Sequence, residues 1–443
     1  MDFNTTYNLE KYILNTKWND LPSDIKDRAI ACGIDLMLAL IIGSKGRQFE
    51  SGVSLAKDIY KDGDVQIVGS RERLNFIGAA VAMGHASNSF DIDDGHNMIK
   101  GHPGTSFISG ILAAALYKDV SYREFLTTLV VSYETAIRSG LAIQDHYNFL
   151  HSTGAYGAVG TSAGVSRIFG FTKEELNNAM SIADFHAPLT PVMRAVEYPS
   201  MNKDGVAFGT LVGVTAVLET IAGVTGKTNL LELGKYGYLV ETLGKDYEIL
   251  NLYFKLYTCC RWAHPPIDAA LSLIKKNGID IESINKINVH TFKSATRLSK
   301  IHPTSTDEAQ YNISFPIAAA IVDGDLGYPQ VIEENLDREA VITIMDKINY
   351  FVDDEIEARF PDERLCKVEI ILESGVSYIS EIFGPQGEAN ANVDLEWITE
   401  KFKKRTEFFM DYKKQNEIIK ILTDIDDISV RQAVECINNN LFN

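Results

Sequence analysis

Apolar residues recur at helical spacing through the first 250 positions, one stripe after another. Ile25, Ala29, Cys32, Leu36 and Ala39 keep that period after Leu21-Pro-Ser-Asp, where Pro and Ser mark a helix start. Ser121-Tyr-Arg-Glu124 and Thr172-Lys-Glu-Glu175 have the form of capping boxes, in which a hydroxyl and a carboxylate satisfy the first unpaired NH groups. They predict helices from Phe125 to Gln144 and from Leu176 to about Phe185. Phe107 to Leu116 predicts another, with Ile108, Ile111, Leu112 and Ala115 on one face and Pro103-Gly-Thr-Ser at its start. Two small-residue runs, 151–164 and 205–223, place Gly and Ala at helical spacing, which predicts helices whose backbones approach closely.

The texture changes near residue 250. Lys286–Phe292 and Lys367–Glu373 are β-branched and partly alternating, and so predict strands. Ser374-Gly375 before Val-Ser-Tyr-Ile-Ser-Glu-Ile predicts a hairpin, while 268–276 and 311–322 read as helices. From Asp394 the pattern is helical again, through Trp397, Phe402 and Phe408, then 418–422 and 430–437. The expected fold is mainly α with an α+β insert. A helical core domain would be built from residues 1–250 and 391–443, and an α+β lid domain from 251–390.

A chain of 443 residues is long enough for such a division, and 45% hydrophobic with 23% charged residues is a soluble globular composition. The net charge of -18 sets nucleic acid and anionic membrane surfaces aside as partners. An anionic ligand would have to find local Lys, Arg and His. Five cysteines, odd in number and irregularly spaced, predict a reducing cytoplasm and no disulfide framework. Met-Asp-Phe-Asn-Thr-Thr-Tyr at the start lacks the basic and apolar regions of a signal peptide. Leu36 to Ile42 is far shorter than the roughly 20 residues of a membrane span.

Candidate chemistry concentrates in one stretch, His85 to Ser106. Asp91, Asp93, Asp94, His85, His96 and His102 fall there between apolar helical runs, and the following helix start favours an anionic guest. Three readings stand side by side: a solvated turn, a loop binding a hard cation, and an acid/base centre. An EF-hand is excluded, because Lys100, Gly101 and His102 stand where its closing Glu is required, although Asp91 and Asp93 keep the residue types of magnesium ligands. The glycines of 151–164 follow no strand, which weakens a dinucleotide reading. His151 and Lys203 each have an ordinary reading, a satisfied histidine and a solvated lysine at a helix start. Lys255, Arg261 and His264 gather at the proposed domain junction; the adjacent Cys259 and Cys260 lack the spacing of a zinc site.

The order of these motifs resembles one family. His85-x5-Asp91-x-Asp93-Asp94, then His102-Pro103 and a small-residue helix, His151, Lys203, the group Lys255, Tyr257, Cys260 and His264, and Ala309-Gln-Tyr-Asn-Ile-Ser-Phe315 resemble the MmgE/PrpD superfamily end to end. That superfamily includes 2-methylcitrate dehydratase, cis-aconitate decarboxylase and iminodisuccinate epimerase. The resemblance implies a homodimer without metal or organic cofactor and an active site between core and lid. It implies acid/base roles for Asp91, His102 and His151, and substrate binding by Lys203, Lys255, Tyr257, Arg261 and Phe315. Gly95 stands where a Thr often follows the paired aspartates, and Phe315 where a Tyr is usual, so two hydroxyls are missing. The implied function is a cofactor-free lyase or isomerase that abstracts a proton alpha to a carboxylate of a small di- or tricarboxylate. It is nominally 2-methylcitrate dehydratase-like, with a cis-aconitate-type decarboxylase, an iminodisuccinate-type epimerase and a non-enzymatic binding or scaffold dimer as alternatives.

Overall fold

The computed structural model describes residues 3–442 except 392 and 427, with the side chains of residues 3–7 left out. The signal-peptide reading rests partly on residues 1 and 2, which lie outside the described residues. The chain is mainly α-helical with an α+β portion. The helix Ser23–Gly43 is buried at every position from Ala31 to Gly43. Its apolar character on all sides therefore makes it a central core element. No single helix among the described residues is long and apolar enough to cross a membrane. All five cysteines are free.

Around this core stand the helices Phe76–Ser87, Pro103–Lys118, Tyr122–His146, Thr153–Phe169 and Val206–Ile221. The small-residue spacing works as expected: a Cβ at Gly209 would lie 2.6 Å from the Gly154 carbonyl oxygen, and one at Gly213 2.5 Å from that of Ala158. Only side chains this small let Thr153–Phe169 and Val206–Ile221 meet so closely. The caps set the helix starts ahead of the first apolar residues. At Thr172 the box is complete, with Glu175 Oε2 accepting from Thr172 N at 2.7 Å and Thr172 Oγ1 accepting from Glu175 N at 3.3 Å. At Ser121 only half of it forms. Ser121 Oγ accepts from Glu124 N at 3.1 Å, but the Glu124 carboxylate turns away to Arg167 Nε, 2.8 Å distant.

The sheet has four strands in the order Ile348–Val352, Ile284–Thr291, Cys366–Leu372, Ser377–Ile379. The first pair is parallel, with Val289 opposite Tyr350, and the other two are antiparallel. Alternate burial of Ile287, Val289 and Thr291 matches the expected strand period. Ile348–Val352 escaped the sequence reading because it is short and mostly exposed, so no alternation marks it. The helix read at 311–322 begins instead at Ser314. Asn312 Oδ1 accepts from Ser314 N at 2.8 Å and Phe315 N at 2.9 Å, which caps it there.

After the sheet the helix Leu395–Thr406 returns to the central helix. Lys401 Nζ lies 2.5 Å from Asp35 Oδ1 and donates to the Ile92 carbonyl at 2.8 Å, all three groups buried. One apolar cluster runs from Trp18 through Ile284, Val289 and Phe315 to Ile437. The helical and α+β portions therefore share a continuous core.

Candidate active site

The loop between Phe76–Ser87 and Pro103–Lys118 is not a solvated turn: Asp91, Asp93 and Asp94 are at most 1% exposed. Buried carboxylates need partners, and each has them. Asp94 takes the helix start that the sequence left open for a guest. Gly104 N donates to its Oδ1 at 3.1 Å and the Tyr133 hydroxyl donates to Oδ2, so the acceptor at this N-terminus is the chain's own carboxyl group. Burial pushes Asp94 up to about 7, against the Tyr133 hydrogen bond.

Asp93 accepts from Asn88 Nδ2 at 2.8 Å and Thr105 Oγ1 at 3.1 Å, and lies 3.0 Å from His102 Nδ1. The other ring nitrogen of His102, Nε2, is 3.6 Å from Asp91 Oδ1. Lys255 Nζ is 2.6 Å from the same oxygen and donates to the Asp91 carbonyl at 3.0 Å. Asp91 itself sits in the left-handed region at φ 51°, a conformation that costs an Asp side chain about 1–3 kcal/mol and clusters at functional sites. Burial and the Lys255 charge oppose an imidazolium at His102, but the Asp93 and Asp91 carboxylates outweigh them and hold it above its ordinary value. Burial likewise opposes a charged Asp93, yet the His102 imidazolium and Lys255 hold its carboxyl below the usual range. The result is a buried alternation of charges, Lys255, Asp91, His102, Asp93.

A second group adjoins the first. Lys203, at φ 46°, points Nζ at Asp307 Oδ1 and donates to Gln310 Oε1, both at 2.8 Å. Gln310 Nε2 donates to the Ser89 carbonyl at 3.0 Å, and Cys260 N donates to the Gln310 carbonyl at 2.8 Å. Gln310 thus ties Lys203 to the start of the aspartate loop and to the Lys255 segment. His102 N donates to Thr153 Oγ1 at 3.1 Å, which donates to Asp204 Oδ2 at 2.8 Å.

The remaining candidates make no side-chain hydrogen bond or ion pair with these groups among the described residues. The His151 ring is buried against Phe149 and Tyr147, with centroids 4.1 and 4.9 Å away, and neither ring nitrogen has a hydrogen-bond partner among the described residues. Burial lowers its pKa. Arg261 lies over the Tyr253 ring at 3.3 Å and pairs with Glu388. The Tyr257 hydroxyl donates to Asp268 Oδ1 at 2.7 Å, and Phe315 has no exposed surface. At Gly95 an added Cβ would lie 2.2 Å from the Tyr253 phenol oxygen, so a tyrosine from the opposite strand fills the space of the missing side chain. Asp307, Thr153, Asp204, Tyr133 and Lys401 were not singled out from sequence. Asp204 had one local signal, its place beside Lys203, and the others had none.

Asp91, Asp93 and His102 form the group that could hold a metal ion, with ligand atoms all within 4.8 Å of one another. Lys255 already supplies a cation 2.6 Å from Asp91 and competes with a metal ion for that carboxylate. Activity is therefore expected to survive dialysis against EDTA. A loss restored by Mg2+ or Zn2+ would make the three residues ligands.

Residues 7–249 match the model of the MmgE/PrpD N-terminal domain and residues 257–427 that of the C-terminal domain. A cis-aconitate decarboxylase-like protein of Aspergillus oryzae is 23% identical, over 96% of this chain and 95% of its own. Cis-aconitate decarboxylase of Aspergillus terreus is 21% identical over 96% and 94%, and the human enzyme of that name 20% over 79% and 76%.

Proposed function

Because the chain belongs to the MmgE/PrpD family, we propose that it is a lyase releasing CO2 from a small di- or tricarboxylate, with His102 as the proton donor. The observation that carries this reading is His102 held between the Asp93 and Asp91 carboxylates, 3.0 and 3.6 Å from its two ring nitrogens, an arrangement that raises its pKa. In the reaction the bond from the substrate chain to one carboxylate breaks and CO2 leaves. The electron pair spreads toward a remaining carboxylate, and the carbon takes the proton from His102 Nε2. Fixed cations beside that carboxylate stabilise the charge as it develops. Decarboxylation of this kind asks for an acid and cations but not for a hydroxyl, which fits Gly95 and Phe315. The names of the relatives favour it over dehydration for the same chain. Epimerisation or dehydration begins with proton removal, and one observation favours a base: both ring nitrogens of His151 are unpartnered among the described residues, and burial lowers its pKa.

Incubating the protein with cis-aconitate, 2-methylcitrate and related acids in D2O separates these readings. The proposal expects CO2 release and one deuterium per product molecule. Exchange into unreacted substrate without CO2 would turn the reading to epimerisation or dehydration. Absence of turnover and of binding would leave a scaffold.

Each lysine ammonium has three N–H donors, of which one is hydrogen-bonded, to Gln310 Oε1 from Lys203 and to the Asp91 carbonyl from Lys255, while the Asp307 and Asp91 carboxylates pair with the charges. A charge-assisted hydrogen bond is worth roughly 1.5–3 kcal/mol. Lys203→Ala and Lys255→Ala are thus each expected to raise KM about 10- to 150-fold. Unchanged KM values in folded variants would remove both from substrate binding.

We also propose a homodimer. Phe208, Leu211, Val212 and Thr215 leave one largely apolar face of Val206–Ile221 partly uncovered, and Phe185 is 85% exposed. Light scattering is expected to find two chains per particle, and a monomer at micromolar concentration would refute it.

A further inference from the structure

A cavity of about 400 Å3 opens beside Lys203, lined among others by Ser152, Thr190, Arg194, Tyr198 and Asn202. Lys203 lines it too, so it adjoins the charged cluster and shares that lysine with it. Ser152 precedes Thr153, the residue that accepts from the His102 backbone, and Lys203 precedes Asp204, the acid on that same threonine.

Every cation of the cluster is already neutralised from within. Lys255 faces Asp91, His102 faces Asp93, Lys203 faces Asp307 and Lys401 faces Asp35. A substrate with two or three carboxylates brings charge that these pairs do not balance, in a chain whose own net charge is -18. Arg194 stands at the cavity with no ion pair among the described residues. Ser152 Oγ is a second, independent sign: its residue is 3% exposed, it lines the same cavity, and it has no hydrogen-bond partner. Other buried hydroxyls of the chain also lack a partner, but among them Ser152 Oγ alone lines this cavity, where a bound acceptor would supply one.

Resting on the reading of this site as one for small polycarboxylates, we infer that the cavity is a distal carboxylate subsite. Arg194 takes that carboxylate through its planar fork and Ser152 Oγ donates to it. The subsite selects di- and tricarboxylates over monocarboxylates, while the Asp91–His102 cluster handles the reacting end. Arg194 is exposed, so it can reach outward and draw the ligand in.

Calorimetric titration of the full chain tests this with three probes that lack a reactive bond: propane-1,2,3-tricarboxylate, glutarate and butyrate. Arg194→Gln is expected to weaken binding of the tricarboxylate about tenfold or more and leave butyrate unchanged, with Arg194→Lys between it and wild type. Ser152→Ala is expected to weaken the tricarboxylate by a smaller factor, again without effect on butyrate. Under turnover the Arg194→Gln loss should fall on KM and not on kcat. Tricarboxylate binding to Arg194→Gln within about threefold of wild type, or an equal loss for butyrate, would overturn the subsite and leave the proposed function standing. Wild-type protein that binds none of the three would overturn both.

Discussion

Replacing His102 by Gln is expected to lower kcat about 100- to 10,000-fold, and adding Asp91→Asn to that variant should lower it little further. The reason is geometric. His102 Nε2 and Lys255 Nζ converge on the same Asp91 oxygen, at 3.6 and 2.6 Å, so in the proposed reaction Asp91 would act by holding a proton on His102 and a cation beside it. Groups that work as one unit do not contribute additively. Single variants within about threefold of wild type, in folded protein, would sink the assignment. The pH dependence follows from the same pair. The folded-state pKa of His102 is raised, so its stabilising contribution is complete below the ordinary histidine value of about 6.5 and fades as pH rises through the raised one. Asp93 has the opposite sign: its contribution is present above the ordinary carboxylate value of about 3.9 and is lost as pH falls toward the depressed one. Activity that needs the His102 imidazolium should therefore hold through neutral pH and fall only on the alkaline side. A fall centred between about pH 6 and 7, the range of an unperturbed histidine, would contradict it.

The second large effect is on stability. Lys401→Met is expected to destabilise the protein by about 3–5 kcal/mol, because it leaves Asp35 buried without its cation and the Ile92 carbonyl without its donor. Burial already pushes Asp35 up and Lys401 down, so neither charge is stable there alone. The double variant Lys401→Met with Asp35→Leu should recover most of the loss, since removing both charges removes the desolvation of each. Denaturant unfolding of the wild type, both single variants and the double measures this. A double variant as weak as Lys401→Met would mean that the interaction with Ile92, not the ion pair, is what matters.

Much of the architecture was legible because it rests on local signals. The box at Thr172 and the Gly–Ala spacing of 151–164 and 205–223 act within one helix or along one face, where period and cap are visible. Glu124 shows the limit: its spacing is that of a capping box, yet Arg167, forty-three residues on, takes its carboxylate. Of the candidate site, the motifs exposed Asp91, His102, Lys203 and Lys255. What completes their surroundings comes from far along the chain and from ordinary contexts. Lys401 sits in a helix turn that reads as solvated, with Glu400 before it and Lys403 after it. Tyr133 sits in a run that reads as helix interior, and Tyr253 fills the place at Gly95 from a two-residue strand. No pattern within either segment announces the partner.

The buried pair at Lys401 also bears on how the protein is made. Asp35 and Lys401 are 366 residues apart, and ribosomes add about 5–20 residues per second, so the acid waits roughly 20 to 70 seconds for its cation. Throughout that interval the long apolar helix Ser23–Gly43 lacks the Leu395–Thr406 helix that covers it, and the aspartate loop lacks the ammonium that holds Ile92. The nascent chain thus keeps this face open until a helix made far later covers it. Ribosome-bound chains halted before residue 395 should recruit holding chaperones, and the aspartate loop should set only once residues 395–406 have emerged.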